Sequence, residues 1–261
     1  MPLLHVDHVT VQFGGVTAVN GAAFDAEAGT ITGLIGPNGA GKTTCFNVIT
    51  GLQRPTSGAV YLDDREITRM SVDRRARRGI GRTFQRLEAF GSLSVLDNVR
   101  AALDIHHGIR HWRRSTEAAA EELLERVGIA VHAYDRADSI PTGTARLLEL
   151  ARALACSPRL LLLDEPSSGL DETETEAFGR LLLDLADEGV GILMVEHDMD
   201  LVMTVCSTIN VLDFGAIIAK GTPAEIRQHP DVQRAYLGYA DHHDEMSGTL
   251  VLDAVLDGGA S

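Results

Sequence analysis

The run Gly36, Pro37, Asn38, Gly39, Ala40, Gly41, Lys42, Thr43, with Thr44 after it, constrains this chain more than any other stretch. It fits the spacing G-x-x-x-x-G-K-[ST]. A chain of this length and ordinary composition shows that spacing by chance on the order of once in a hundred times. The flanking residues sharpen it. Residues 31–35 are short, apolar and β-branched, which predicts a buried strand, and the residues from Lys42 to near Gly51 read as a helix. A strand, a glycine-rich turn and a helix let successive backbone N–H groups converge on an anion at the positive end of a helix dipole. Lys42 then reaches the β- and γ-phosphates of a nucleotide, and the Thr43 hydroxyl suits Mg²⁺.

A second signal lies at 160–165. Four leucines precede Asp164 and Glu165. An unbroken apolar run predicts a strand buried on both faces of a parallel sheet, which places the two acids at the carboxyl edge where such sheets bind ligands. Asp164 is expected to hold Mg²⁺ and Glu165 to polarise an attacking water as general base. A buried acid pair is expensive without a cation, so a bound metal nucleotide accounts for it. Three further polar residues sit where loops would meet the γ-phosphate: Gln85 closes Arg82-Thr83-Phe84-Gln85, His197 follows the apolar run 191–196, and Asp171 ends Ser167-Ser168-Gly169-Leu170-Asp171.

The pattern of the whole chain is α/β. Strands are expected at 3–13, 18–24, 31–35, 160–163, 191–195, 208–212 and 216–219, with a hairpin at 59–62 and 66–68. The stretch 87–157 reads almost entirely as helix, with Ser94 as an N-cap three residues before Asp97 and Gly128 closing a helix over 116–127. Further helices are expected at 142–155 and 174–188. An α/β core interrupted by a helical insertion follows. In the tail 240–261, residues 241–248 read as a charged, turn-prone linker and 249–257 have mixed periodicity, and no role is assigned to them.

Composition excludes several alternatives. A net charge of −14 argues against nucleic acid as a partner. Cys45, Cys156 and Cys206 have no C-x-x-C spacing, so they read as free thiols rather than a disulfide framework or a zinc site. His106, His107, His242 and His243 lack credible metal-ligand spacing. No run reaches the ~18 apolar residues that a membrane span requires, so the chain is expected in the cytoplasm, resting on a membrane partner. The arginine clusters 73–79 and 110–114 either face lipid headgroups or acidic loops of that partner, or form solvated helix faces with ion pairs. The apolar residues of 87–99 are expected to be partly exposed, as a groove for a partner helix.

Taken together, these motifs resemble those of ABC-type ATPases, the nucleotide-binding subunits of ABC transporters. Residues 36–44 resemble Walker A, 82–85 the Q-loop, 160–171 Walker B with the D-loop, and 195–198 the switch histidine. Phe13 matches the adenine-stacking position. The resemblance covers residues 1–239. It implies a RecA-like P-loop NTPase core with an antiparallel β subdomain and an inserted helical subdomain at about 87–157. It also implies ATP and Mg²⁺ as cofactors, with Gln85 joining Thr43 and Asp164 near the metal. Two ATPase subunits, identical or different, would close head-to-tail on two ATPs. Integral membrane permease subunits would dock on the helical subdomain at the cytoplasmic face of the membrane, and a periplasmic or lipoprotein solute-binding protein would act indirectly. The stretches 13–24, 77–85, 195–203 and 221–238 resemble the branched-chain amino acid importers, whereas lipopolysaccharide-export ATPases share much of the same pattern.

One departure stands out. The family's signature is Leu-Ser-Gly-Gly-Gln, and the aligned residues here are Ile140, Pro141, Thr142, Gly143 and Thr144. Pro141 removes a hydroxyl that the family aims at the other subunit's γ-phosphate. A hydrogen bond to a charged group is worth roughly 1.5–3 kcal/mol, so closure is expected to weaken without being abolished. A nucleotide-gated subunit with weak hydrolysis is the alternative. ABC ATPases of translation or DNA repair usually carry a second such domain or a long coiled coil, which this chain lacks.

Overall fold

A computed structural model describes residues 2–83, 88–107 and 115–235. Gln85, Leu87, the cluster 110–114 and the tail 240–261 with His242 and His243 lie outside the described residues.

Two sheets organise the chain. The first is antiparallel: β1 (Leu4–Phe13), β2 (Val16–Ala26), β4 (Ser57–Leu62) and β5 (Arg65–Glu66) lie in the order β2-β1-β4-β5. In β1, Leu4, Val6, Val9 and Val11 are buried while Gln12 and Phe13 are exposed, the alternation of a sheet with one face in the core. The second sheet contains β3 (Ile31–Ile35), β6 (Ile80–Arg82), β7 (Leu160–Asp164), β8 (Gly191–Val195), β9 (Thr208–Asp213) and β10 (Ala216–Gly221), in the order β10-β9-β3-β8-β7-β6. All neighbours in it are parallel except the edge strand β10. Every residue of β3, β7 and β8 is buried. This explains the unbroken apolar runs: side chains alternate between faces, and both faces are covered.

Each face has its own core. Leu160 and Leu162 pack with Phe46, Val48 and Ile49 of α1 (Lys42–Thr50) and with the antiparallel sheet. Leu161 and Leu163 pack on the other side with Phe178, Leu182 and Leu185 of α6 (Glu172–Asp187) and Val202 of α7 (Met199–Val205). Replacing one such fully buried leucine with alanine costs about 2–5 kcal/mol. That second core continues into α3 (Val95–His107), α4 (Ser115–Arg126) and α5 (Thr142–Leu154). Ser94 caps α3 through its Oγ, which accepts from Asp97 N at 3.0 Å. Gly128 follows α4 in a left-handed conformation with φ 79°.

Three expectations need correction. Val95, Leu96 and Val99 are core residues; among the described residues of the stretch 87–99, Phe90 and Leu93 are the large apolar side chains that are exposed. Residues 133–141 are not helical, so the helical stretch is broken before α5. The arginine cluster at 73–79 is not one surface. Arg75, on α2 (Val72–Ala76), is 1% exposed, and it donates to the backbone oxygens of Val48, Ile49, Thr68 and Met70 at 2.6–3.1 Å. Its guanidinium closes the C-terminal end of α1, where helix carbonyls lack intrahelical donors. Arg74 and Arg77 remain exposed.

Candidate active site

Because the parallel strands share one direction, their carboxyl ends meet at one edge. Ile35 delivers the loop 36–41, Asp164 leads to Glu165, Val195 leads to Glu196 and His197, and Arg82 leads to Thr83. Glycine is required in the loop for space. A Cβ on Gly36 would lie 1.9 Å from Leu212 O, and one on Gly41 would lie 2.5 Å from Ala18 O. Gly41 also sits at φ 108° as the N-cap of α1, with no side-chain cap. The first-turn amides at Lys42, Thr43 and Thr44 are therefore available to an anion.

Lys42 is buried and its Nζ donates to Gly36 O at 2.6 Å and Pro37 O at 3.0 Å. The ammonium thus lies inside the loop that a polyphosphate would enter. Burial pulls its pKa below the usual lysine value, against Glu165 and Asp164, which raise it. Asn38, Gly39, Ala40, Gly41, Lys42, Thr43 and Thr44 line one cleft of about 240 Å³ with Glu165 and His197. Ala18 and Val195 complete it. Sequence reading missed both, because neither residue type carries a chemical signal.

Glu165 and His197 face each other across this cleft, with His197 Nε2 3.0 Å from Glu165 Oε1. Glu165 is held at φ 51°, a left-handed conformation unusual for a residue with a Cβ, and its N–H donates to Val195 O at 2.8 Å. Glu196 was given no role from sequence, yet it fixes both loops. It is 4% exposed; its Oε1 accepts from Ser167 N at 2.7 Å and its Oε2 accepts from His197 N at 3.0 Å. Asp164 is 2% exposed. Burial raises its carboxyl above the usual aspartate range, and the neighbouring Arg82 acts against that rise. The Thr43 hydroxyl and the Asp164 carboxylate offer the oxygen ligands that a hard divalent ion takes. Glycine-cleared space, convergent amides, a lysine and these oxygens together fit a metal-bound triphosphate.

The ABC transporter family profile matches residues 19–168, and a second, for branched-chain amino acid ATP-binding cassette transporters, matches residues 216–242. The chain belongs to the ABC transporter family. It is 40% identical over 252 residues to the high-affinity branched-chain amino acid transport ATP-binding protein BraF of Pseudomonas aeruginosa, covering 92% of this chain and 99% of that one. It is 37% identical over 238 residues to the lipopolysaccharide export system ATP-binding protein LptB of Escherichia coli, covering 91% and 98%. Its fold matches a dimeric ATP-binding cassette in a post-hydrolysis state bound to ADP and Pi, with TM-score 0.77, 26% identity and coverage of 84% and 98%. The protein is therefore an ATP-binding subunit of an ABC transporter and an ATPase, with the mixed α/β fold of RecA-like P-loop NTPases.

Among the described residues, the others expected at the ABC ATPase site, Gly36, Pro37 and Asp164 included, do not line the cleft. Phe13 is half exposed at the end of β1 and does not line it. Asp171 caps α6, its side chain accepting from Glu174 N at 2.8 Å. Pro141 is the N-cap of α5, and no side chain caps that helix. Thr142 is exposed. Gly143 packs so closely on Gly169 and Leu170 that a Cβ would lie 2.8 Å from Gly169 O. Thr144 is buried in a separate cleft with Arg126, His132 and Glu174. Of the two threonine side chains expected at this helix start, one is exposed. A larger cleft of about 650 Å³ lies between α6 and α7, but Asp171, Glu172, Glu176, Asp198 and Asp200 line it, which suits no polyanion.

Helix α5 also grips the segment that follows the Gln85 loop. Glu149 Oε1 accepts from Glu88 N at 2.6 Å, and Arg152 Nη1 donates to Glu88 O at 2.7 Å. On the other side, Asn98 Oδ1 accepts from Phe90 N at 2.8 Å and its Nδ2 donates to Phe90 O at 3.1 Å. Phe90 is thus held by its backbone while its ring stays 48% exposed, beneath the Arg152 guanidinium at 5.0 Å.

Proposed function

We propose that this chain powers uptake of branched-chain or related amino acids by hydrolysing Mg·ATP at the interface between two ATPase subunits. The observation that carries the chemistry is the 3.0 Å contact between His197 Nε2 and Glu165 Oε1 across a cleft walled by residues 38–44. Lys42 turns from Gly36 O and Pro37 O to the β- and γ-phosphates, and the amides of 41–44 cradle them. Thr43 and Asp164, with Gln85 as the resemblance implies, would hold magnesium, which when bound would supply Lewis-acid neutralisation of phosphate charge. Glu165 takes a proton from the attacking water, and His197 orients that carboxylate and contacts the γ-phosphate. Glu196 keeps both loops in register. The resemblance gives Phe13, half exposed at the end of β1, the adenine-stacking position.

We read 1–239 as the ATPase unit, with its helical subdomain at about 87–157, and 240–261 as a tail of unassigned role. Residues 142–144 and Asp171 then serve the nucleotide of the second subunit, identical or different. Permease subunits dock against the exposed ring of Phe90, which keeps the protein peripheral at the cytoplasmic face of the membrane. A solute-binding protein acts through the permease. The amino-acid reading is favoured over lipopolysaccharide export by the match at 216–242 and by the higher identity to BraF. Among the described residues, no helix is long and apolar enough to cross a membrane.

Glu165→Gln tests the chemistry. It keeps the side-chain length and removes the base, so ATP turnover is expected to fall by ~10²–10⁴ while ATP still binds. Unchanged turnover would remove Glu165 as the base.

A further inference from the structure

We propose that Arg82 is a positioning residue for the metal site, holding Asp164 in register with the helix that carries Lys42 and Thr43; this rests on the reading that Asp164 takes the ion. Arg82 ends β6, one strand over from β7, and its side chain is 7% exposed. Its guanidinium reaches in two directions. Nη2 donates to Asp164 Oδ2 at 3.0 Å, and Nη1 donates to Asn47 Oδ1 at 2.7 Å. Its Cζ lies over the Phe46 ring, 5.5 Å from the centroid. Asn47 and Phe46 belong to α1, the helix that opens with Lys42 and Thr43. One planar fork therefore bridges the helix bearing the phosphate ligands and the strand bearing the acid, a task that a single ammonium point charge cannot perform.

The residue after it completes the grip. Thr83 Oγ1 accepts from Asp164 N at 3.3 Å, and Thr83 N donates to Leu162 O at 3.0 Å. Among the described residues, Asp164 is fixed by its backbone and by its Oδ2. A buried pair of this kind is weak evidence of added stability, because desolvation offsets much of the attraction. Orienting a metal ligand is a better account, since the outer partners of ligating carboxylates typically set metal affinity by about 10- to 100-fold.

The test is nucleotide affinity of the full chain for a fluorescent ATP analogue, measured with Mg²⁺ and with EDTA. In the unmodified chain Mg²⁺ is expected to tighten binding. Arg82→Met is expected to reduce that Mg²⁺-dependent gain by about tenfold, with affinity in EDTA within about twofold of the original. Arg82→Lys is expected to restore only part of the gain. An undiminished gain in Arg82→Met overturns the proposal, and so does a parallel loss in EDTA, which would make Arg82 a strut for the whole loop. Should Arg82→Met fail to fold, Asn47→Ala decides: it removes the second anchor of the guanidinium and is expected to lower the gain in the same direction, and an unchanged gain overturns the proposal. An unmodified chain that gains nothing from Mg²⁺ overturns the metal reading, and the role of Arg82 with it.

Discussion

Replacing Arg75 with methionine removes a buried guanidinium and keeps most of its volume. Four backbone oxygens lose a donor: Val48 O, Ile49 O, Thr68 O and Met70 O. Val48 O keeps the Gly51 amide at 3.2 Å. One buried acceptor, Ile49 O, and two part-buried ones, Thr68 O and Met70 O, are left to be satisfied by water or not at all, and each stranded group costs about 1–3 kcal/mol, least where water reaches it. Relief from burying the charge offsets part of this, so a net loss of about 3 kcal/mol is expected. In a chain of this size that lowers Tm by roughly 6–12 °C, a large fraction of an ordinary folding stability of about 5–15 kcal/mol. Arg74→Met, on the same short helix but exposed, should stay within about 0.5 kcal/mol. Thermal unfolding followed by circular dichroism, with both variants in one buffer, reads the difference. If Arg75→Met melts within about 2 °C of Arg74→Met, the four hydrogen bonds do not stabilise the fold and the assignment of Arg75 as the closure of α1 is wrong.

Two further outcomes follow from the site. Lys42→Ala is expected to weaken ATP binding by at least about tenfold, from the loss of charged hydrogen bonds worth roughly 1.5–3 kcal/mol each, with an unchanged circular dichroism spectrum; equilibrium dialysis checks it, and retained affinity would remove the lysine from the phosphate site. Pro141→Ser is expected to add an N-cap hydroxyl to α5, stabilising the helix by about 1 kcal/mol, and to raise turnover up to about tenfold where two chains close on ATP. A steady-state ATPase assay reads it, and unchanged turnover would mean that residue 141 does not reach the second nucleotide.

The most legible parts of the sequence were those with one dominant cause. β3, β7 and β8 announce themselves because burial on both faces leaves no polar position to confuse the pattern. The run 36–44 is equally plain, because steric exclusion at Gly36 and Gly41 permits no other residue there. Less legible were the short elements β6, α2, α7 and α8 (Pro223–Arg227), whose three to seven residues span too few turns or alternations to show a period. For α7 a local signal existed: Asp198 caps it by accepting from Leu201 N at 3.0 Å. Arg75 and Arg82 were hidden for another reason. A sequence shows an arginine as a charge, and only the meeting of α1 with residues 68–70 supplies the carbonyls, and that of α1, β6 and β7 the carboxylate, that draw each inward. The surroundings of Thr144 were hidden too: its position beside Gly143 suggests a helix start, and its place on α5 puts it in a cleft with Arg126.

The backbone at Glu165 bears on how a chain of this kind could age. A residue with a Cβ held at φ 51° gives up on the order of 1 kcal/mol or more that glycine or asparagine would recover. Drift toward a sturdier protein at this position would therefore strip out the carboxylate and leave a chain that grips nucleotide without consuming it. Robustness and turnover oppose each other within a single residue, so a copy relieved of selection for work would tend to become both more durable and inert.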